Sequence, residues 1–442
     1  MKNGIAVSVS AIVAVLLLVL AGPLAQPQQT VPELNPSQSA SAQSASVWQA
    51  VGPAGGWIRA LVKNPKNARE LYAAVESYPC QIYESSNAGS TWTRIGLVQS
   101  HLSDLVVHPS NPNILYGVAY TSLFKSKDQG RTFTELALPD PKLVRLDGNI
   151  SISPRKPETI YVAGSYKYND SGRKYCLAVF RSKDNGLTWT VHKLDPVSDY
   201  TSVPRVAASP SNAKIVFASG SYHKSGQTYY RVFKSADGGD SWTNVAGSIN
   251  QHPYDLLLHP TDPNTIYVAT QNGVYRSSNG GKTWAKQIAP NVMFTEILAM
   301  DSTNPQVLYA GANLTVYKST DGGVRWTASK SDAGLFGSCT RVVADGGSVY
   351  FASTVGMFKS TDGGATWKPS HAGIKASSVP ALALAAASPK TVYAGVQNYA
   401  CFKSVNAGGG WIKLGNFAGC GQILKIASHP TAANTVYLLK GG

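Results

Sequence analysis

The chain has 442 residues, 43% of them hydrophobic and 14% charged, with a formal net charge of +15, 41 glycines, 25 prolines and five cysteines. That length is too great for most single cores, the glycine and proline content fits a turn-rich β protein, and the near absence of a sustained 3.6-residue period beyond the N-terminus leaves little room for helix. A basic balance of this size raises nucleic acid, anionic glycans or a lipid surface as partners, and the placement of the charge narrows that choice.

In chain order, Lys2 precedes the apolar run "IAVSVSAIVAVLLLVLAG" (5–22), and a polar, low-complexity stretch, "PLAQPQQTVPELNPSQSASAQSAS" (23–46), follows it. The first reads as a secretory signal cleaved after Ala21 or Ala25. Because the run is near the minimum length for spanning a bilayer, an uncleaved membrane anchor is the alternative. The second stretch reads as a disordered tether. The expected organisation is therefore 1–21 signal or anchor, 22–46 linker and 47–442 folded domain, outside the cytoplasm in either case, extracellular or periplasmic. No cysteine lies near the run to suggest a lipoprotein.

From residue 47 onward one phrase recurs eight times: "YESSNAGSTW", "FKSKDQGRTF", "FRSKDNGLTW", "FKSADGGDSW", "YRSSNGGKTW", "YKSTDGGVRW", "FKSTDGGATW" and "FKSVNAGGGW". Its serines, Ser85, Ser126, Ser182, Ser235, Ser277, Ser319, Ser360 and Ser404, are spaced by 41, 56, 53, 42, 42, 41 and 44 residues. A period of roughly 40–45 residues is what four short strands and their turns require. Each phrase follows a β-branched and aromatic stretch such as "TIYVAT" (265–270), itself preceded by a proline turn such as "HPTDPN" (259–264). Strand, proline turn, strand, loop, strand, Asp-Gly hairpin, strand is a four-stranded antiparallel blade, so the fold class is all-β.

The hairpin's acid or amide, at Asn87, Asp128, Asp184, Asp237, Asn279, Asp321, Asp362 and Asn406, accepts turn N–H bonds while glycine supplies the positive φ. Asparagine at three of the eight suits a hydrogen-bonding turn and would not suit a catalytic carboxylate. The closing Trp or Phe is suited to wedging between neighbouring blades.

Ser-x-Asp-x-Gly-x-Thr-Trp resembles the Asp-box, or BNR, repeat of sialidases, sortilin-type receptors, xyloglucanase-type glycosidases and photosystem II assembly factors. The resemblance covers nearly everything from about Val47 and implies a β-propeller. It leaves function open, because those families mix enzymes with binding proteins. Eight boxes mark eight third strands, and "QILKIASHP" (422–430) and "NTVYLLK" (434–440) supply two strands more. The expectation is one large propeller of eight to nine blades, with "VWQAVGP" (47–53) completing the last blade and closing the ring.

If the hairpin joins the third and fourth strands, the proline turn shares its face, and the opposite face is the one on which Asp-box enzymes carry their sites. The longest repeats place "SYKYNDSGRKYC" (165–176), "KLDPVSDYTSVPR" (193–205) and "SYHKSGQTYYR" (221–231) there. They offer Tyr166, Tyr168, Arg173, Lys174, Tyr175, Tyr200, Arg205, Tyr222, His223, Lys224, Tyr229 and Tyr230 as ligand contacts, tyrosines with cations being adhesive for sugar rings, carboxylates and peptides. The alternative is long hairpins whose tyrosines pack on one another. Counting back five residues from each turn proline gives a second set, Asp104, Asn149, Arg205, Asp255 and Lys425, either lining a channel mouth or forming a self-satisfying ring of salt bridges. The phasing brings Cys401 and Cys420 to this face on neighbouring blades, and a disulfide between them is expected.

Seven of the eight residues before the box serines are basic, so much of the net charge is a repeated strand feature spread around the ring. No nucleic-acid module is visible. Resemblance to sialidases would imply a Phe/Tyr-Arg-Ile-Pro stretch, and "TRIGL" (93–97) lacks the proline. A glycosidase needs two facing carboxylates, for which Asp147, Asp199 and Asp255 are the best acids. His108, His259 and His429 occupy one turn slot rather than a metal-ligand spacing, so neither metal nor cofactor is expected. The sequence thus reads as a secreted or membrane-tethered, non-catalytic propeller that binds protein or glycan through its long-loop face. Its alternatives are a divergent glycoside hydrolase and an assembly scaffold for a membrane complex.

Overall fold

The computed structural model describes residues 57–442 apart from 139–143, 147, 168–173, 195–197, 288–294, 313–314, 329–338, 355, 371–380, 386–387, 397–399, 407–410, 415–422, 429–435 and 441–442. Among the described residues all regular structure is strand, as the absence of a 3.6-residue period predicts. Blade one consists of Ile58–Asn64, Asn67–Val75, Cys80–Ser85 and Thr93–Val98, paired antiparallel in that order. The same four-strand order repeats in the blades whose innermost strands are Leu102–Val107, Ile150–Ile152, Tyr200–Ala208, Pro253–Leu258, Thr295–Met300 and Cys339–Asp345. Blade three carries an additional short strand, Val144–Arg145, against Ile160–Lys167.

Each box closes as its sequence predicts. The box serine Oγ accepts the second-glycine N–H at 2.7–2.9 Å in all seven blades. In the third box Asp184 Oδ1 accepts from Ser182 and from the Thr188 N–H, while Oδ2 accepts from the Thr188 hydroxyl at 2.5 Å. At Asn87 and Asn279 the side-chain amide instead donates to the threonine hydroxyl, at 2.8 and 2.7 Å, so the turn needs a polar planar group and no charge. The box's fourth residue donates its N–H to a carbonyl at the strand one–two turn of its own blade, for example Gly280 to Asn264 at 2.9 Å. Box and proline turn therefore share a face. That fourth position has positive φ, which Ala88 (54°), Gln129 (62°) and Asn185 (60°) adopt as well as the glycines.

Among the described residues the buried side chains fall into seven clusters, each spanning one seam between neighbouring blades. The box aromatics wedge into those seams, with Trp326 and Trp367 only 5% exposed. A polar latch crosses six of the seven seams beside them. A second-strand tyrosine, the basic residue before the box serine, or both donate to the carbonyl of the fourth box residue in the next blade; in blade one Tyr72 donates to Glu70 instead and the residue before the serine is Glu84. Tyr116 and Lys125 reach Asn185 O (3.1 and 3.0 Å), and Tyr161 and Arg181 reach Gly238 O (2.9 and 2.8 Å). Tyr267 reaches Gly322 O and Tyr309 reaches Gly363 O, at 2.9 and 3.1 Å.

The same latch corrects the expected blade number. Tyr350 and Lys359 of the seventh blade donate to Ala88 O of the first, at 3.1 and 2.7 Å, and the Trp92 indole N–H donates back to Ser370 O at 2.7 Å. One apolar cluster unites Ile58, Leu71 and Trp92 with Tyr350, Ala352 and Met357. The ring thus closes at seven blades through an ordinary seam, not at eight or nine through a composite blade. Residues 47–53 lie outside the described residues, and closure among the described residues does not use them. The eighth sheet, Ala381–Ala385, Ser388–Val396, Ala400–Ser404 and Ile412–Lys413, and the two-stranded sheet Ile423–Ser428 with Val436–Lys440 follow the closed ring. Box counting enumerates sheets, whereas ring membership depends on how many blades fit around the axis. The signal, anchor and linker segments also lie outside the described residues, as does Cys420, the expected partner of the buried Cys401.

Two stability predictions follow from these hydrogen bonds. Ser360→Ala leaves the Gly364 N–H and an Asp362 oxygen without their shared partner, and should cost about 1–3 kcal/mol in reversible unfolding. The box carboxylates titrate low: the Thr188 hydroxyl, the Thr188 N–H and the Ser182 hydroxyl hold Asp184 at about 2. A depressed folded-state pKa means that the unfolded chain takes up protons first, so the contribution is present at neutral pH and lost as pH falls from about 4 toward 2. Melting temperature should fall across that window, and Asp184→Asn, which copies the natural boxes at Asn87 and Asn279, should reduce the fall.

Candidate functional site

Two groups of side chains stand on the face opposite the boxes. The first rings the central channel. The inner strands of blades two, four, five, six and seven each carry a register irregularity near the start, and a bulge re-aims the residue that follows it. Asp104, Arg205, Asp255 and Arg341 follow such bulges and, with Asn149, line one cavity of about 180 Å³. The fifth expected member, Lys425, lies on Ile423–Ser428, beyond the ring. Arg341 escapes sequence counting because its turn, Asp345-Gly346-Gly347, has no proline to count from.

The ring largely satisfies itself. Arg341 bonds Asp104 Oδ1 at 2.7 Å, and Asp104 Oδ2 accepts the Ile150 N–H of blade three. Asn149 exchanges two hydrogen bonds with the Val206 backbone of blade four, at 2.7 and 3.0 Å. Asp255 accepts the Leu298 N–H of blade six and its neighbour Leu256 N–H, both at 2.9 Å, with the Arg205 guanidinium 3.8 Å away. Burial raises the Asp255 carboxyl above the usual range, Arg205 opposing. These groups join blades two to six in succession around the channel, and the Arg341–Asp104 pair bridges blade seven to blade two past blade one.

The second group occupies the long hairpins of blades three and four. Val216–Lys224 and Gln227–Ser235 turn through Ser225-Gly226, both at positive φ, a tight two-residue hairpin. Tyr222 is 4% exposed and stacks on Tyr229 (centroids 4.9 Å, 16°), while the Arg231 guanidinium lies 5.0 and 5.4 Å from the two rings and donates to Tyr222 Oη at 2.8 Å. Tyr222 is therefore packing, which corrects its expected place on the surface. Tyr166 is half-buried under Lys193, 4.1 Å from its ring, and Tyr175 shares a backbone bridge with Ser198. Tyr168 and Arg173 lie outside the described residues, as does Asp147.

Outward-facing groups remain beside this core. Tyr200, 51% exposed, stacks on His223 at 4.9 Å and 7°. Lys224 is exposed next to it. Lys174 pairs with Asp199 at 2.9 Å, which lowers the Asp199 carboxyl, and Asp199 also accepts the Ser225 N–H. Tyr230 faces His252 at 6.4 Å, and His252 meets Tyr254 at 4.7 Å. Burial, then Arg205, lowers the His252 pKa. His252, Tyr254 and Arg231 were not anticipated. Their signal was adjacency, His252 and Tyr254 flanking the bulge before Asp255 and Arg231 following two tyrosines. The hairpins thus present a ledge of aromatic faces and cations, suited to stacking a sugar or aromatic ring and pairing with an anion.

A family model named Sortilin-Vps10, described as "Sortilin, neurotensin receptor 3", matches residues 80–229 and 230–345, well over half of the chain. Among solved structures the chain is similar to a GH74 enzyme of Niastella koreensis, at 18% identity over 88% of this chain and 70% of that one, with a TM-score of 0.61. It is similar also to the GH74 xyloglucanase of Xanthomonas campestris, at 15% identity over 85% and 70%, with a TM-score of 0.57. YCF48 from Cyanidioschyzon merolae matches at 12% identity over 70% and 96%, with a TM-score of 0.48. No curated protein sequence matches the chain. At these identities the two GH74 likenesses show the fold alone.

The channel ring makes its own prediction. Asp104→Ala strands the Arg341 guanidinium and the Ile150 N–H in a mostly buried setting, and should cost about 3 kcal/mol by denaturant titration.

Proposed function

Because the chain belongs to the Sortilin-Vps10 family, we propose that it is a binding propeller whose long-loop face captures a protein or glycan ligand, and that the segment before residue 47 delivers it outside the cytoplasm, free or tethered. The observation that carries this reading is the Tyr200–His223 stack, an exposed aromatic pair set beside Lys224 and the Lys174–Asp199 pair. A flat aromatic surface flanked by cations offers stacking area at low entropic cost together with charge to orient an acidic group. The carboxylates nearest the channel favour binding over chemistry, since Asp104 and Asp255 already accept hydrogen bonds from neighbouring blades.

The test is a glycan and secreted-peptide binding screen on the folded chain, followed by substitution. Tyr200→Ala with His223→Ala should weaken the selected ligand tenfold or more with little change in melting temperature, and unchanged affinity would remove the ledge as the site. Tyr222→Ala should instead lower the melting temperature, as expected of a stacked side chain 4% exposed.

A second reading rests on one observation, the raised Asp255 carboxyl in the channel-mouth cavity. A carboxyl whose pKa is raised by burial is of the kind that serves as general acid, and the fold resembles a xyloglucanase. Release of reducing ends from xyloglucan, lost in Asp255→Asn, would establish it; an inert wild-type chain would discard it.

A further inference from the structure

On the box face, away from the ledge, the seams differ at one point. The residue after the second glycine of each box faces the latch residue of the preceding blade, and four seams show what that position holds. Between blades three and four it is Asp240, whose carboxylate meets the 5% exposed Arg181 at 2.5 Å and Lys183 at 3.6 Å. Between blades one and two the signs are exchanged: the latch residue is Glu84, raised by burial and by Glu70, and the facing residue is Arg131, which opposes that rise. Between blades four and five Lys282 faces Lys234. At the closing seam the position is Ser90, too short to reach its cation.

What Ser90 leaves is a cavity of about 160 Å³, lined by Ser90, Lys359, Thr361, Thr366, Lys368 and Ser370. Lys359 corresponds in the repeat to Arg181, and Thr361 to Lys183. Lys368 corresponds to Thr190; the residue after the box aromatic is threonine in five of the seven ring blades and alanine in one, and blade seven alone places a lysine there. The closing seam thus has one cation more than the seams on either side of it and, like the Lys234–Lys282 seam, lacks the carboxylate that answers such cations between blades three and four. Burial holds the Lys359 ammonium below the usual lysine range, and one of its protons is committed to Ala88 O. No acidic side chain lines the cavity.

We infer that the slot between blades seven and one is an anion-binding site, in which Lys359 and Lys368 with the Thr361 hydroxyl hold a carboxylate or a small tetrahedral oxyanion where Asp240 sits at the equivalent seam. The chemistry is one anionic oxygen group, supplied by an acidic side chain of a partner or by a free ion. The site is independent of the long-loop ledge, and each stands or falls without the other.

The experiment is calorimetric titration of the full chain with sodium phosphate and, separately, sodium acetate, at fixed ionic strength set with sodium chloride. Saturable binding of one anion per chain is expected, with the arm that saturates at lower concentration identifying a tetrahedral or a planar anion. Lys368→Gln should weaken it tenfold or more. Ser90→Asp, which places a carboxylate in the slot, should abolish it while keeping a melting temperature at or above that of the wild type in chloride. Absence of saturable binding to the wild-type chain, or wild-type affinity in either variant, overturns the site.

Discussion

Much of the ring depends on a single acceptor, the carbonyl of the fourth box residue. The hairpin turns it outward at positive φ, and the preceding blade delivers to it a tyrosine hydroxyl, a basic side chain or both. Without those donors a polar group at the edge of each buried cluster would lose its partner, at the usual cost of an unsatisfied acceptor. The box aromatic beside it contributes apolar contact but cannot set register alone. Hydrogen bond and wedge together fix one blade's angle against the next, and seven such angles complete a circle.

This arrangement accounts for much of the basic composition. The residue before the box serine sits near the tyrosine or phenylalanine ring of the neighbouring strand, as with Lys125 at 5.2 Å from Tyr116, Lys318 at 5.8 Å from Tyr309 and Lys359 at 5.2 Å from Tyr350. Burial lowers the pKa of Lys125, Lys234 and Lys359, a cost the fold bears because each ammonium lies against a π face and a carbonyl. Charge committed to seams in this way contributes less to long-range attraction than the formal +15 suggests.

Sequence made the blade legible because its informative residues are local: Ser182, Asp184, Gly186 and Thr188 bond within one turn, and their spacing is their geometry. Asp104, Asn149, Arg205 and Asp255 were legible for the same reason, being at a fixed distance from a turn proline, and Arg341 was hidden where that proline is missing. Blade number was not legible, since Tyr350 and Lys359 look like any other latch pair and nothing in their identity says which box they reach. Burial of Tyr222 was hidden too, because it depends on Arg231 crossing from the paired strand to cap it. Non-local contacts between chemically similar repeats are what periodicity cannot encode.

The latch has a direction: side chains of one blade address the backbone of the next, and the reverse face of every blade offers the same carbonyl. A backbone acceptor is indifferent to its donor's identity, so most seams would accept a duplicated or exchanged blade, which is how an array of this kind lengthens by copying. Two seams are less permissive. Arg181 against Asp240, and Glu84 against Arg131 with the signs reversed, form matched pairs that a shuffled neighbour would turn into like-charge contacts. Those two junctions act as an order code, tying blade two to blade one and blade four to blade three within a ring that is otherwise interchangeable.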